Sequence, residues 1–247
     1  MRLSAVFGLK AMAALLIWAS LAPAAPPESL QFAVEWRLIP AGTAKLSWLP
    51  AQRPNSTEIR LHLESAGLVS RLFRVDDDYR ALLGPNLCAE ASSLIAKEGN
   101  RSKETRVIFD AKAAKAFWTE KDLVKAATTN KEVEIPPCVH DVMGGLLALR
   151  GLRLEPGKTV RLPISDGKKT VQARIEAQDR EDIHTPAGTF RAVRYEVYLF
   201  NNVLFSKPGH LHIWLTDDER RLPVQLQVRL QFTIGTITFR LLKEENQ

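Results

Sequence analysis

Cysteine is scarce in this chain: only Cys88 and Cys138 stand among 247 residues. Two thiols so far apart in sequence cannot supply the ligand set of a structural zinc site. Nor does their spacing show the placed histidine that a cysteine nucleophile needs. Aromatic residues make up 7% of the chain and form no pair of girdles. That argues against an outer-membrane barrel, as does the charged ending Lys243-Glu244-Glu245-Asn246-Gln247. Beyond the first 21 residues no run is apolar enough to span a bilayer. A clustered basic face is also missing. Basic and acidic residues interleave, as in Arg71, Arg74, Asp76, Asp77 and Asp78, so nucleic acid is not an expected partner. The serines form no nucleophile elbow. No linker, internal repeat or low-complexity tract divides the chain, and a single domain over 25–247 is the expectation.

What is present begins with an export signal. Arg2 and Lys10 precede the apolar run Ala11 to Leu21, and Ala22-Pro23-Ala24 puts small residues where a signal peptidase reads. Residues 1–24 are expected to leave as a signal peptide, cut after Ala24, with an uncleaved membrane anchor as the alternative. Their loss removes two of the 34 basic residues and none of the 28 acids, leaving a net +4. An exported chain meets an oxidising compartment, so Cys88 and Cys138 are a candidate disulfide. Closing a loop of that length stabilises by roughly 4 kcal/mol in the chain-entropy picture.

Period-two alternation dominates the rest. Phe32, Val34, Trp36 and Leu38 share one strand face. Ile59, Leu61 and Leu63 alternate with charged neighbours, as do Ala173, Ile175 and Ala177. Val224, Leu226, Val228, Leu230 and Phe232 face one way, and Ile237, Phe239 and Leu241 continue the pattern. One dry and one wet face per strand is the mark of an antiparallel sheet. Ser165-Asp166-Gly167-Lys168 signals a hairpin, and Asp217 to Arg220 a polar turn. About thirteen strands are expected.

One segment carries a helical stripe instead: Val142, Leu146 and Leu149, widened by Met143 and Leu147. His140 or Asp141 begins it and Gly151 ends it. Gly144-Gly145 inside a helix is costly and points to a close approach of other backbone. Residues 106–118 read as a hairpin, followed by an exposed loop to about 135. The expected fold is all-β and mainly antiparallel, a strongly curved sheet or barrel with one short helix against it.

His210 and His212 point to one face of a strand with Trp214 beside them. Such a face suits a sugar ring, or the start of a metal site completed by His184 or Asp217. A solvated outer face is the plainer reading, and no metal or cofactor is expected. Asp217 and Asp218 are the least unsuitable acids for a polymer hydrolase, although adjacent acids in a turn rarely face each other across a cleft. With Arg150 at the helix end, His210, His212, Trp214, Asp217 and Asp218 make up the candidate binding set.

The order of local motifs is distinctive. Ala41-Gly42-Thr43-Ala44 comes first, then Ser65-Ala66-Gly67-Leu68-Val69-Ser70 and Phe73-Arg74-Val75-Asp76-Asp77. Val107-Ile108-Phe109-Asp110, Val139-His140-Asp141 and Leu154-Glu155-Pro156-Gly157-Lys158 follow. Thr185-Pro186-Ala187-Gly188-Thr189-Phe190, Ile213-Trp214-Leu215-Thr216-Asp217-Asp218 and Arg220-Arg221-Leu222-Pro223-Val224 close the series. This resembles the exported bacterial family called domain of unknown function 3108. The resemblance implies a cell-envelope protein of mostly β structure, with no assigned reaction and no catalytic residues to carry over. So many apolar strand faces, with one helix to cover them, either fold into a packed core or curve around a cavity, and the expected function is a non-enzymatic one, binding a lipid, another amphiphile or an envelope glycan in the concavity of the sheet. The alternatives are an envelope-polymer hydrolase and a scaffold for another envelope protein.

Overall fold

A computed structural model describes residues 28–230 and 235–245. The expected signal segment and its cleavage point at Ala24, and Phe232, lie outside the described residues. Fourteen strands form one antiparallel sheet. The first run is β1 (Glu28–Trp36), β2 (Ile39–Pro50), β3 (Thr57–Ser65), β4 (Val75–Leu83), β5 (Ala89–Glu98), β6 (Arg101–Asp110), β7 (Lys115–Asp122) and β8 (Ala127–Glu134). The second is β9 (Thr159–Ser165), β10 (Thr170–Thr185), β11 (Gly188–Tyr198), β12 (Gly209–Thr216), β13 (Pro223–Leu230) and β14 (Thr236–Glu245). Helix α1 (Gly67–Leu72) sits between β3 and β4, and α2 (Val142–Gly151) joins the two runs. Each run is a simple meander, and the two runs meet where β14 pairs with β1 in mid-sheet.

The outermost strands, β8 and β9, do not pair, so the sheet stays open between them. The connecting segment stitches part of that gap. Ala89 N–H donates to Val139 O on one side (2.7 Å). On the other, His140 bridges Ile164, with His140 N–H donating to Pro163 O and Ser165 N–H to His140 O (both 2.9 Å). Cys88 and Cys138 are joined in a disulfide at the same place.

The period-two pattern explains the curl. Inward residues of both runs form one core that includes Leu30, Phe32, Trp48, Ile59, Tyr195 and Leu241. Each large apolar side chain buried in this way stabilises the fold by about 1.5–3 kcal/mol. The β9–β10 hairpin reaches across to the other run. A Cβ added at Gly167 would lie 2.6 Å from Val107 and 3.2 Å from Trp118, and Gly167 also has φ +84°. Glycine therefore answers both a left-handed turn and a close approach there.

Helix α2 packs inside the curl. Asp141 caps it, accepting from Gly144 N–H at 2.9 Å. The close approach at the paired glycines is to side chains rather than to backbone. A Cβ at Gly144 would meet Asp141 Oδ1 at 2.5 Å and Leu83 at 3.1 Å, and one at Gly145 would meet Ile164 at 2.6 Å. The expected loop after residue 118 is corrected: Lys115–Asp122 and Ala127–Glu134 are paired strands. Strand β8 is exposed on nearly every residue, so backbone pairing with β7 and a few side-chain contacts, Thr119 to Asn130 and Lys115 to Glu132, hold it, and no apolar alternation marks it.

Candidate binding cavity

Strand β4 places Val75, Asp77, Tyr79, Ala81 and Leu83 on its inward face, and the row grows more buried toward Leu83. Directly opposite on β3 stand Leu61 and Leu63, paired with Tyr79 and Asp77. The side chains of this half of the sheet do not meet those of the other half everywhere. A cavity of about 330 Å³ remains between β3–β6, the start of α2, the β9–β10 turn and Phe205. Its walls are chiefly apolar: Leu61, Leu63, Leu94, Val107, Met143 and Phe205. The volume falls at the lower end of the range for small-molecule pockets.

The polar lining consists of the acids Asp77, Asp141 and Asp166, the Tyr79 hydroxyl, and the neutral hydroxyls of Ser92, Ser93, Thr105 and Ser165. Tyr79 donates its hydroxyl hydrogen to Asp141 Oδ2. Asp141 is 2% exposed. Burial raises its carboxyl above the usual range, against the hydrogen bonds from Tyr79 and from the first turn of α2. Burial also raises the Tyr79 hydroxyl, and the Asp141 charge adds to it. Asp77 accepts from Lys97 N–H at 3.0 Å. Burial pushes its carboxyl up to about 6, helped by the like charges of Glu98, Asp76 and Asp78. Asp166, at the rim, is occupied by its own turn, accepting from Lys168 and Lys169 N–H at 2.8 and 2.9 Å. No lysine, arginine or histidine is among the described residues lining the cavity.

The residues singled out from sequence lie elsewhere and are not gathered into one site. His210, His212 and Trp214 do share one face, the outer one, with ring centroids 6.3 and 5.9 Å apart along the row. His210 Nδ1 lies 3.0 Å from Glu196 Oε1. Burial holds the His212 imidazole below its usual value. Trp214 is 6% exposed, and its indole N–H donates to Glu181 Oε1 at 2.8 Å. Its ring therefore offers no open face for a sugar to stack on.

Asp217 accepts from Arg180 Nε at 2.8 Å. Asp218 accepts from Thr216 Oγ1 at 2.6 Å and from the backbone N–H of Arg220 and Arg221, which makes it the cap of the β12–β13 turn. Arg150 binds that turn from the end of α2. Its Nε and a terminal nitrogen donate to Arg221 O and Arg220 O at 3.0 and 2.9 Å. It also pairs with Glu28 at 3.0 Å and lies over the Trp48 ring at 4.5 Å.

His140 and Asp141 go to different partners, His140 Nδ1 lying 2.8 Å from Leu87 O. His184 meets Thr189 at 2.8 Å. Among the described residues, side chains able to surround a cation gather only at His62, Asp76 and Asp78, on the outer face. There Lys97 already pairs with Asp76 at 3.3 Å.

Sequence reasoning passed over Asp77 and Tyr79. The signal was available: Asp77 falls in phase with Val75, Tyr79, Ala81 and Leu83. An acid on the apolar beat of a strand is directed into the core, where a charge is costly without a purpose.

The pattern of a family described as protein of unknown function (DUF3108) matches residues 31–242. No curated protein matches the chain significantly. Among solved structures, a beta-barrel-like protein of domain of unknown function DUF1849 from Brucella abortus superposes with a TM-score of 0.58 at 7% identity. The match covers 89% of this chain and 97% of that one. A protein from Bacteroides fragilis described as having a YmcC-like fold gives a TM-score of 0.33 at 12% identity, over 91% of this chain and 98% of that one. The first likeness speaks for the barrel-like fold alone, and the second carries no argument.

Proposed function

The chain belongs to the DUF3108 family of proteins of unknown function, and from that premise we propose that it binds an amphiphile within the curl of its sheet. One observation carries this reading: a cavity of about 330 Å³ with a chiefly apolar wall lies on the inner face of the sheet. A cavity of this size therefore suits a ligand whose larger part is hydrocarbon. The proposed setting is the cell envelope, after export. The N-terminal signal pattern supports this, and so does the Cys88–Cys138 disulfide, a bond that persists in oxidising compartments.

The geometry favours binding over hydrolysis. Asp217 and Asp218 are engaged by Arg180 and by turn donors, which leaves neither poised as a general acid or base across a cleft.

Filling the cavity tests the proposal. Leu94→Trp adds bulk to its wall and should weaken saturable binding of a fluorescent alkyl-chain probe at least about tenfold, in a protein that still unfolds cooperatively. Unchanged probe affinity in that variant would place any binding elsewhere and contradict the reading.

A further inference from the structure

The polar end of the cavity selects among amphiphiles. We infer that its ligand carries a positively charged head, an ammonium group on an apolar stem, which pairs with Asp77 while the stem lies against Leu61, Leu63, Leu94 and Val107. This rests on the proposed function, since it names the ligand class of the same cavity.

The argument is one of charge and position. Most amphiphiles with an acyl chain end in a carboxylate or a phosphate, and a site for either needs a cation or a cluster of N–H donors. The lining offers neither. Its charged members are Asp77, Asp141 and Asp166. Two of these are already committed. Asp166 holds its turn, and Asp141 holds the Tyr79 hydroxyl and the first turn of α2.

Asp77 is different. Its single hydrogen bond is from the backbone N–H of Lys97, and it makes no ion pair among the described residues. The charges near it are acidic: Asp76 and Asp78 on its own strand and Glu98 on β5. The nearest inward-facing lysine across the sheet, Lys103, is paired with Glu120. An anionic head entering here would meet the like charges of Asp77 and its acidic neighbours, in a medium of reduced dielectric, while Lys103 is already taken up by Glu120. An ammonium head would supply the missing partner and donate to the open carboxylate lone pairs. Leu63 stands opposite Asp77, and Leu61 opposite Tyr79 one step further in. The acid thus lies level with Leu63 and one step outward from Leu61, as an amphiphile lying lengthwise along this wall requires.

Isothermal titration of the protein lacking residues 1–24 with decylammonium, decanol and decanoate at about pH 7.5 tests this, because the three differ only in the head. Decylammonium should bind at least about tenfold more tightly than decanoate, with decanol between them. In Asp77→Asn most of that difference should vanish while decanol affinity stays the same, which also reports that the variant is folded. Decanoate binding as tightly as decylammonium would overturn the inference and leave the amphiphile reading standing. So would a preference that survives in Asp77→Asn. Failure of all three to bind would remove both. The wild-type ranking decides the matter whether or not the variant folds.

Discussion

At the scale of single residues, two acids beside the cavity, Asp77 near the start of β4 and Asp141 at the cap of α2, have opposite duties. Asp141 is a structural cap. Replacing it with Ala strands the Gly144 N–H and the Tyr79 hydroxyl inside the fold. Loss of a cap and of a buried acceptor together should cost about 2 kcal/mol or more, read as a lower denaturant midpoint. Asp141→Asn keeps an acceptor oxygen and should cost less. Asp77 stabilises nothing comparable. Its carboxyl, ordinarily at 3.8, is pushed up to about 6, because burial and neighbouring acids disfavour the charge. The folded protein therefore holds this proton more tightly than the unfolded chain does. The stability this group contributes is fully present below its unfolded value and is lost as pH rises through about 6. Asp77→Asn cannot ionise. It should raise the urea midpoint over the wild type at about pH 7.5 and change it little at about pH 4. A variant less stable than wild type at the higher pH would show that the charge is compensated in the fold. A residue that weakens the free protein at neutral pH fits a ligand contact better than a structural one.

At the scale of elements, the open seam between β8 and β9 is the point of interest. The segment 135–141 crosses it, bonded to Ala89 on one side and to β9 on the other, and the disulfide fastens it. Replacing both Cys88 and Cys138 with Ala should lower stability by up to about 4 kcal/mol, measured by denaturant unfolding against the oxidised protein. A change near zero would mean that the stitch holds without the bond. Arg150 fastens the other end of α2, where its guanidinium reaches two carbonyls of the β12–β13 turn, Glu28 and the Trp48 face. It was singled out in the sequence as a ligand contact, and its neighbours here account for it as a tie between helix and sheet.

How much of this was legible in the sequence depended on whether side chains or backbone did the holding. Strand β10 buries one face, so Ala173, Ile175 and Ala177 announce it. The helix announced itself through its stripe and its aspartate cap. Strand β8 buries almost nothing, and its register comes from pairing with β7, which no pattern in Ala127–Glu134 records. The His210, His212 and Trp214 row was correctly read as one strand face. Which face of the sheet would turn inward was not decided by three residues, and it turned away from the cavity. Asp77 was legible in principle, as a charge on an apolar beat, but it lay in a run of three aspartates that read as a solvated stretch.

At the scale of the whole molecule, an up-and-down sheet has curled nearly into a barrel around a helix and has kept room inside. The helix and the β9–β10 hairpin fill much of the interior, and the cavity is what they leave between themselves and β3–β6. The central claim is that this space is occupied by an amphiphile in the protein's own setting. Native mass spectrometry of the protein purified gently from the cells that make it, before and after organic extraction, tests it most directly. The account predicts a stoichiometric extra mass that extraction removes, with the extract yielding an amphiphile bearing a basic nitrogen. A clean unliganded mass that stays unshifted after incubation with envelope lipids would contradict it.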